Sequence, residues 1–298
     1  MNGSQAAWLD GGKRLHLHHG PIDLIVYIDG TGAAAAYAKA RTRFASVLTE
    51  LARELPRLRE PAHDCTTFDG TIANRMQTAV APHARQFVTP MAAVAGAVAD
   101  EILAEIAVCP DVVRAYVNNG GDTAVHLTSA APRLRAAIAG VPGGRVTLGW
   151  SKPVRGIATS GWRGRSYSFG IADAVTVLAT NTAAADVAAT LIANAVDLPG
   201  SAQVTRVAAN ALSHDSDLGD RLVTTHVQPL TNTEVATALA RGVKAAQTMI
   251  ARKLISSALL QLQDAIEVAG SIDAFDMHCA HPNAYLPRNH ATSIRTPL

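Results

Sequence analysis

The chain has 298 residues, of which 48% are apolar and 4% aromatic, and its formal net charge is +2. This length allows one large domain or two small ones, with a core built of small side chains. The basic residues are scattered, without a Lys/Arg-rich run or aromatic residues interleaved with basic ones. We therefore do not expect nucleic acid as a partner.

The cysteine content and the absence of long apolar runs indicate the cellular compartment in which we expect the protein. Three cysteines, Cys65, Cys109 and Cys279, argue against a disulfide framework and fit a reducing environment. The first twenty residues lack a signal-peptide core, and no run reaches the roughly 20 apolar residues of a membrane helix. We therefore expect a cytoplasmic protein without a membrane span.

In the first third of the chain, the pattern changes from strand to helix. RLHLHHG and IDLIVYIDG predict one or two strands. A helix is predicted over 33–59, where apolar residues recur every three or four positions. Residues 61–90 are polar and contain several prolines, which predicts loop and short strand. A second, alanine-rich helix is predicted over 91–108, with Gly96 inside it. A helical glycine costs about 1 kcal/mol relative to alanine and usually marks a close approach of backbone or ligand.

The middle of the chain is rich in strand patterns. Strands are predicted over 112–117, 123–127, 145–150 and 174–179. A loop rich in Gly, Ser and Arg is predicted over 151–172.

Two helices and an irregular tail complete the predicted elements. The helices are expected over 184–196 and 233–264, and the tail over 271–298. Strands and helices are mixed without the even alternation of a doubly wound sheet, which predicts an α+β fold. We expect a single domain over 1–270, built of one unit or of two subdomains that meet at the site.

The stretch VNNGGDTAVHL (117–127) has two interpretations. Asn-Gly between alternating apolar residues is the strongest short-range hairpin signal. A glycine-rich turn also exposes N–H groups against which a phosphate or a polar ring edge can lie. The two interpretations are compatible.

The stretch AADVAATLIANAV (184–196) carries a polar stripe on an apolar helix. Asp186, Thr190 and Asn194 are spaced four residues apart and share one face. Asp186 and Thr190 could provide oxygen ligands for Mg²⁺, which takes few protein ligands. Alternatively, Asp186 caps the helix N-terminus and Thr190 bonds back to a carbonyl.

Other polar stretches also have both a functional and an ordinary interpretation. In the loop before the strand AVTVLA, Arg163 and Arg165 could hold a phosphate or carboxylate, or be solvated. HDSDLGD (214–220) could be a metal or acid/base site, or a solvated acidic loop. His16 and His18 share one face of a strand. The stretches His63-Asp64-Cys65 and DMHCAH resemble catalytic or zinc clusters, but neither has a completing partner at zinc-site spacing.

Taken in chain order, these stretches resemble the ApbE family of flavin transferases. The matching segments are Asn-x-Gly-Gly-Asp at 118–122, Ala-Thr-Ser-Gly at 158–161, Val-Thr-Val at 175–177 and Ala-Asp-x-x-x-Thr at 185–190. PMAAVAGAVAD lies where the family has a glycine-containing helix. A subfamily of ApbE-like proteins also shares HHGPIDLIV and HDSDLGD.

The resemblance implies a fold and an activity. The fold would be ApbE-like (T-fold-like), with mixed sheets and packed helices. ApbE enzymes bind FAD and Mg²⁺, cleave the pyrophosphate, and attach FMN through a phosphoester to a Thr or Ser of an acceptor protein. Independently of the resemblance, a homodimer is the default expectation, because most soluble oligomers are symmetric dimers.

The resemblance also implies site residues. The metal would be held by Asp186, Thr190 and a backbone carbonyl within 92–94. The residues implied to face the flavin cofactor (FAD or FMN) are Asn118, Gly120, Gly121, Asp122, Thr159, Ser160 and Gly161.

The chain departs from the family pattern at two places. The family has a lysine before the helix glycine, where this chain has Ala95. The family's His-x-x-Asp-Pro-x-Thr-Gly segment reads RSYSFGIAD here, and only Asp173 remains.

Three functions stay open. The first is Mg²⁺-dependent flavin chemistry, either FMN transfer or FAD pyrophosphate cleavage. The second is a hydrolase or another enzyme with a non-flavin substrate, for which Asp122, Asp173 or His214 would be the acid/base. The third is a non-catalytic ligand-binding or assembly protein.

Overall fold

The fold is built from strands and helices spread along the whole described chain. The computed structural model describes residues 3–63, 66–129 and 133–276. The strands are Gln5–Leu9 (β1), Arg14–His19 (β2), Ile22–Asp29 (β3), Arg114–Asn119 (β4), Asp122–Leu127 (β5), Arg133–Ala137 (β6), Arg145–Gly149 (β7), Gly156–Ser160 (β8), Ala174–Ala179 (β9), Val204–Ala208 (β10), Leu222–Val227 (β11), Ser257–Leu262 (β12), Ala265–Gly270 (β13) and Phe275–Asp276 (β14). The helices are Ala33–Leu58 (α1), Thr71–Val80 (α2), Val94–Ala107 (α3), Thr182–Ala195 (α4), Ala209–Leu212 (α5) and Asn232–Ala251 (α6), with 3₁₀ turns at Ala81–His83 and Pro90–Ala93.

One large antiparallel sheet organises the molecule. Its strand order is β1-β2-β3-β4-β5-β8-β9-β12-β13. Helices α1, α3, α4 and α6 pack against this sheet, while β14, β7 and β6 form a separate three-stranded sheet. The predicted α+β class is confirmed.

The centre of the large sheet is covered on both faces. In β9, Val175 and Val177 pack with the helices, whereas their neighbour Leu178 packs with Leu148 of the three-stranded sheet. Successive side chains of a strand point to opposite faces. All six residues of β9 are therefore buried, which explains why AVTVLA is a continuous apolar run.

Helix α1 follows its predicted pattern closely. Its buried residues include Tyr37, Phe44, Val47 and Leu51, which lie on one stripe. The Tyr37 hydroxyl accepts a hydrogen bond from the Ile28 amide at 2.9 Å, which ties the helix to β3.

The helix predicted over 233–264 is wrong in its second half. Helix α6 ends at Ala251, and the segment after it forms β12, which pairs with both β9 and β13. A short apolar run fits a buried strand as well as a helix. Pairing with two neighbouring strands decides between them here.

Two segments predicted as loops contain regular structure. Helix α2 lies within 61–90, and its buried residues Ile72, Ala73, Met76 and Val80 have helical spacing. Strand β8 lies within 151–172 and pairs with β5 and β9. Its sequence GIATS has weak strand propensity, so its neighbours determine its conformation.

Several predictions lie partly or wholly outside the described residues. Cys65 and most of DMHCAH are in this group, as is the tail beyond Asp276. The domain boundary, the homodimer and the cytoplasmic location stay predictions. Within the described ranges, no helix is both long and apolar enough to cross a membrane.

Candidate functional site

A cavity of about 810 Å³ lies between the β4–β5 hairpin, the end of β8, helix α4 and the 3₁₀ turn Pro90–Ala93. This volume lies within the usual range of small-molecule sites. All the sequence-predicted flavin and metal residues line it: Asn118, Gly120, Gly121, Asp122, Thr159, Ser160, Gly161, Asp186 and Thr190. The fold therefore brings together three stretches that are far apart in the sequence.

The Gly-Gly turn is both a hairpin turn and part of the cavity wall. Asn119 pairs with Asp122, so Gly120 and Gly121 alone connect β4 to β5. Their φ angles are +62° and +123°, a region that favours glycine. The hairpin interpretation is confirmed, and the turn places Asp122 at the start of β5, facing the cavity.

Asp122 and Asp186 form a carboxyl pair at the cavity wall. Asp122 is buried and accepts a hydrogen bond from the Thr159 amide at 3.2 Å. Burial raises the pKa of Asp122 to about 7, against the lowering effects of the Thr159 amide and a hydrogen bond with Asp186. Burial and the neighbouring charge of Asp122 raise the pKa of Asp186 well above its ordinary value. Two such carboxyls share a proton because both cannot be ionised side by side.

The position of Asp186 depends on a close contact between helices α3 and α4. The Gly96 amide, in the first turn of α3, donates to Asp186 Oδ2 at 3.0 Å. A Cβ on Gly96 would lie 2.6 Å from the carbonyl carbon of Thr182, so only glycine allows this approach. In return, Asp100 of α3 accepts from the Thr182 and Ala183 amides of α4 at 3.0 and 2.8 Å.

The alternative interpretation of Asp186 as the cap of its own helix is wrong. Helix α4 is capped by Asn181, whose side chain accepts from the Ala184 amide at 2.8 Å. Asp186 instead satisfies an amide at the N-terminus of α3, which no carbonyl of that helix can reach.

Hydroxyl groups line the same cavity as the carboxyl pair. Thr190 lies one turn after Asp186, and its hydroxyl donates to Ser160 Oγ at 3.5 Å. Asn194, one further turn along, accepts from the Ser168 hydroxyl at 3.0 Å and the Phe169 amide at 2.8 Å. The polar stripe of α4 therefore has two parts. Asp186 and Thr190 present oxygen atoms to the cavity, and Asn194 holds the loop before β9.

Aromatic side chains form another wall of the cavity. Phe87, Tyr167 and Phe169 line it, and the Phe87 and Phe169 ring centroids lie 6.2 Å apart. The Arg221 guanidinium lies 3.4 Å from the centroid of Phe87. Such a wall suits a flat heteroaromatic ring.

Arg165 brings a positive charge to the cavity. Its guanidinium lies over Gly120, where an added Cβ would be 3.2 Å from Arg165 Cζ. The positive charge of Arg165 also lowers the pKa of Asp122. The neighbouring Arg163 pairs with Asp173 at 2.5 Å, whereas the salt bridges found among the described residues do not include Arg165. Arg165 can therefore pair with an anion in the cavity.

Neither Asp173 nor His214 lines the cavity that holds the carboxyl pair. Asp173 accepts from Trp162 Nε1 at 3.1 Å, from Arg163 and from the Gln263 amide at 2.5 Å. It borders an adjoining pocket of about 500 Å³ that shares Thr159, Ser160 and Gly161 with the main cavity. His214 is fully exposed, with Asp215 as its neighbour at 3.4 Å.

Part of the HDSDLGD loop also borders the cavity. Ser216, Asp217 and Leu218 line it, and Asp217 accepts a hydrogen bond from the buried hydroxyl of Thr89. The loop therefore closes one side of the cavity, so a solvated acidic loop describes it only in part. His16 is paired with Asp23 at 2.8 Å, and the described residues hold no group of three metal-ligating His, Cys, Asp or Glu side chains.

Sequence reasoning missed Asp100 and the aromatic wall. Asp100 lies four residues after Gly96, so the two share a helix face, which was a usable signal. Tyr167 and Phe169 alternate in the sequence, which in an extended segment places them on one side. Phe87 carried no comparable signal.

Comparison with known proteins agrees with the motifs. The model of the family described as AbpE bacteria matches residues 6–268. The UPF0280 protein MK0206 of Methanopyrus kandleri is 36% identical over 182 residues, which cover 58% of this chain and 69% of that protein. The UPF0280 protein MJ1526 of Methanocaldococcus jannaschii is 37% identical over 113 residues, which cover 36% and 45%.

Among solved structures, the apo form of the Pseudomonas stutzeri flavinyl transferase ApbE aligns with 91% of this chain and 97% of its own. The TM-score is 0.48 and the sequence identity 12%. Because the family match spans most of the chain, the resemblance inferred from the motifs is confirmed, and the protein belongs to the AbpE bacteria family.

Proposed function

We propose that the cavity binds a flavin dinucleotide and Mg²⁺ and cleaves the pyrophosphate. The product would be FMN attached to a hydroxyl of an acceptor protein or, with water as the acceptor, free FMN. The observation that carries this proposal is the Asp122–Asp186 pair, set beside the Thr190 hydroxyl in a cavity of dinucleotide size. Membership of the family supports it.

The residues present fit a magnesium ion. Asp186 and Thr190 offer hard oxygen donors, and Mg²⁺ prefers one or two carboxylates completed by water and phosphate oxygens. A cation held at Asp186 would also offset the charge repulsion between Asp186 and Asp122. When bound, Mg²⁺ would neutralise charge on the pyrophosphate oxygens.

Two walls of the cavity would orient the dinucleotide. The rings of Phe87, Tyr167 and Phe169 suit a flavin or adenine ring. Arg165 lies beside the Gly-Gly turn and would pair with a phosphate. It supplies a positive charge in a cavity where Ala95 replaces the lysine of the family pattern.

The chain also provides a group that can accept a proton. The acceptor oxygen forms a bond to the FMN phosphorus, the phosphoanhydride bond breaks, and AMP leaves with the bridging oxygen. The hydroxyl proton passes to Asp122, a buried carboxyl at the cavity wall that can act as the general base.

A second function uses the same pair without a flavin. Two carboxyls with displaced pKa values can act as acid and base in hydrolysis. The departures at Ala95 and in RSYSFGIAD favour this hydrolase, or a non-catalytic ligand-binding protein.

A titration with FAD tests the proposal. We expect the purified protein to quench FAD fluorescence with MgCl₂ and much less with EDTA. Asp186→Asn keeps the shape of the side chain and should abolish the Mg²⁺ effect. Asp220→Asn, an exposed residue of the neighbouring loop, is the matched control.

The products distinguish the alternatives. Chromatography of FAD incubated with protein and Mg²⁺ should show AMP and FMN if water replaces the acceptor, and AMP with protein-bound flavin if an acceptor is present. If FAD fails to bind at high micromolar concentration, the flavin proposal is wrong. Binding without products favours a ligand-binding protein.

A further inference from the structure

A second, open groove lies where strands β2, β3, β4 and β6 come together. Its volume is about 350 Å³. We call it the basic groove, because it is lined by Lys13, Arg14, Arg114, Arg133 and Arg135 around the rings of Tyr27 and Tyr116. These five basic residues lie in three separate segments of the sequence, so the linear sequence shows no basic run.

The positive charge of the groove is only partly compensated. Asp10 pairs with Arg14, and Asp29 pairs with Arg114 at 3.1 Å. Lys13, Arg133 and Arg135 are exposed and absent from the salt bridges of the described residues. Counting the two aspartates, the groove carries a net charge of +3, which exceeds the +2 of the whole chain.

The centre of the groove is held in place by packing. The Tyr27 and Tyr116 rings are stacked, with centroids 5.5 Å apart, and the Arg114 guanidinium lies 5.4 Å from the centroid of Tyr27. Arg114 Nη1 donates to the Arg133 carbonyl at 3.1 Å, while its buried Nε has no acceptor among the described residues. Fixed cationic and aromatic side chains lose little entropy when a partner binds.

Strand β6 connects the groove to the cavity. Arg133, Leu134 and Arg135 line the groove, whereas Ala136 and Ala137 line the cavity. Arg135 and Ala136 are consecutive residues, so the two sites adjoin along the strand, separated by one residue rise of about 3.3 Å. β6 is also an edge strand of the three-stranded sheet. A chain segment lying along it would therefore lead directly to the cavity.

We propose that the basic groove binds an acidic, extended segment of the acceptor protein and directs the neighbouring hydroxyl to the cavity. The identity of the partner as a flavin acceptor rests on the proposed function. Charge complementarity selects acidic side chains, which steer association and set specificity. A nucleic acid fits less well, because only three of the groove's basic groups have no salt bridge among the described residues, fewer than an extended run of phosphates would need.

The test uses charge reversal at exposed residues of the full chain. The probe is a fluorescein-labelled oligoglutamate peptide, followed by fluorescence anisotropy at low salt. We expect Arg133→Glu/Arg135→Glu to weaken binding about tenfold or more. Arg41→Glu/Arg53→Glu changes the net charge equally at exposed positions of α1 and should change binding less than about twofold. Thermal unfolding of both variants checks that the fold is kept, and FAD binding is measured in parallel.

Each outcome decides a separate point. Equal loss in the groove and control variants, or no peptide binding to the unmodified protein, overturns the inference. Tighter binding of a single-stranded oligonucleotide than of the peptide also overturns it and assigns the groove to nucleic acid. If FAD binds and the peptide does not, the proposed function survives without this surface. If the peptide discriminates between the variants and FAD does not bind, the groove remains an acidic-segment site but its partner is not a flavin acceptor.

Discussion

Replacing Gly96 by alanine should separate the two helices that carry the candidate site. The new Cβ would lie 2.6 Å from the Thr182 carbonyl carbon and 2.8 Å from Ala183 Cα, and still closer to the Thr182 oxygen. These are backbone atoms, so a helix must shift by about 1 Å to reach ordinary contact distances. Overpacking of this kind costs about 1–3 kcal/mol.

The shift would also weaken hydrogen bonds between the helices. The Gly96 amide bonds to Asp186, and Asp100 accepts from the Thr182 and Ala183 amides. Hydrogen bonds to charged groups contribute about 1.5–3 kcal/mol each. The better helix propensity of alanine offsets about 1 kcal/mol. We therefore expect a net loss of about 2–4 kcal/mol in the free energy of unfolding.

Urea denaturation followed by circular dichroism measures this loss. Gly149→Ala is the matched control, because a Cβ there meets nothing within 4 Å and its φ is ordinary; its effect should stay within about 0.5 kcal/mol. Gly96→Ala should also weaken FAD binding, since it displaces Asp186. A Gly96→Ala protein as stable as the unmodified one would refute the close α3–α4 contact described above.

Three further predictions concern other parts of the fold. Burial, with the charge of Arg252, lowers the pKa of His83 from 6.5 to about 4, so the folded protein should lose stability as the pH falls below 6.5. In urea titrations, His83→Leu should remove about 2–3 kcal/mol of the stability loss between pH 7 and 4.5. Equal pH dependence of the two proteins would contradict this assignment. Gly120→Ala, at φ +62°, should cost about 1–2 kcal/mol and move Arg165 aside; unchanged thermal stability would count against the described turn. Asp217→Ala leaves the buried Thr89 hydroxyl without its acceptor and should lower the free energy of unfolding by about 1–3 kcal/mol. Proteolysis of the 213–220 loop should become faster, whereas Asp217→Asn should retain most of the stability.

Local signals in the sequence identified the elements whose conformation depends on near neighbours. The apolar stripe of α1 and the Asn-Gly-Gly-Asp turn were both recognised, because helix periodicity and hairpin geometry are properties of a few consecutive residues. The same holds for the spacing of Asp186 and Thr190 on one face of α4. The order of the motifs was enough to indicate the family.

Elements stabilised by distant partners could not be assigned in this way. Strand β8 and the strand β12 that follows α6 form because the sheet provides neighbours on both sides, and their own residues do not specify a strand. The helix predicted through residue 264 was wrong for this reason.

The chemistry of the site was also decided by tertiary structure. The sequence by itself determined which residues are available: Asp122, Asp173, Asp186 and His214 all appear as candidate acids or bases. Only the fold buries Asp122 against Asp186, engages Asp173 with Arg163 and leaves His214 in solvent. Burial and charge proximity shift a pKa, and both depend on residues that are distant in the chain. The basic groove has the same origin, because its positive charges come from three separate segments that the fold places side by side.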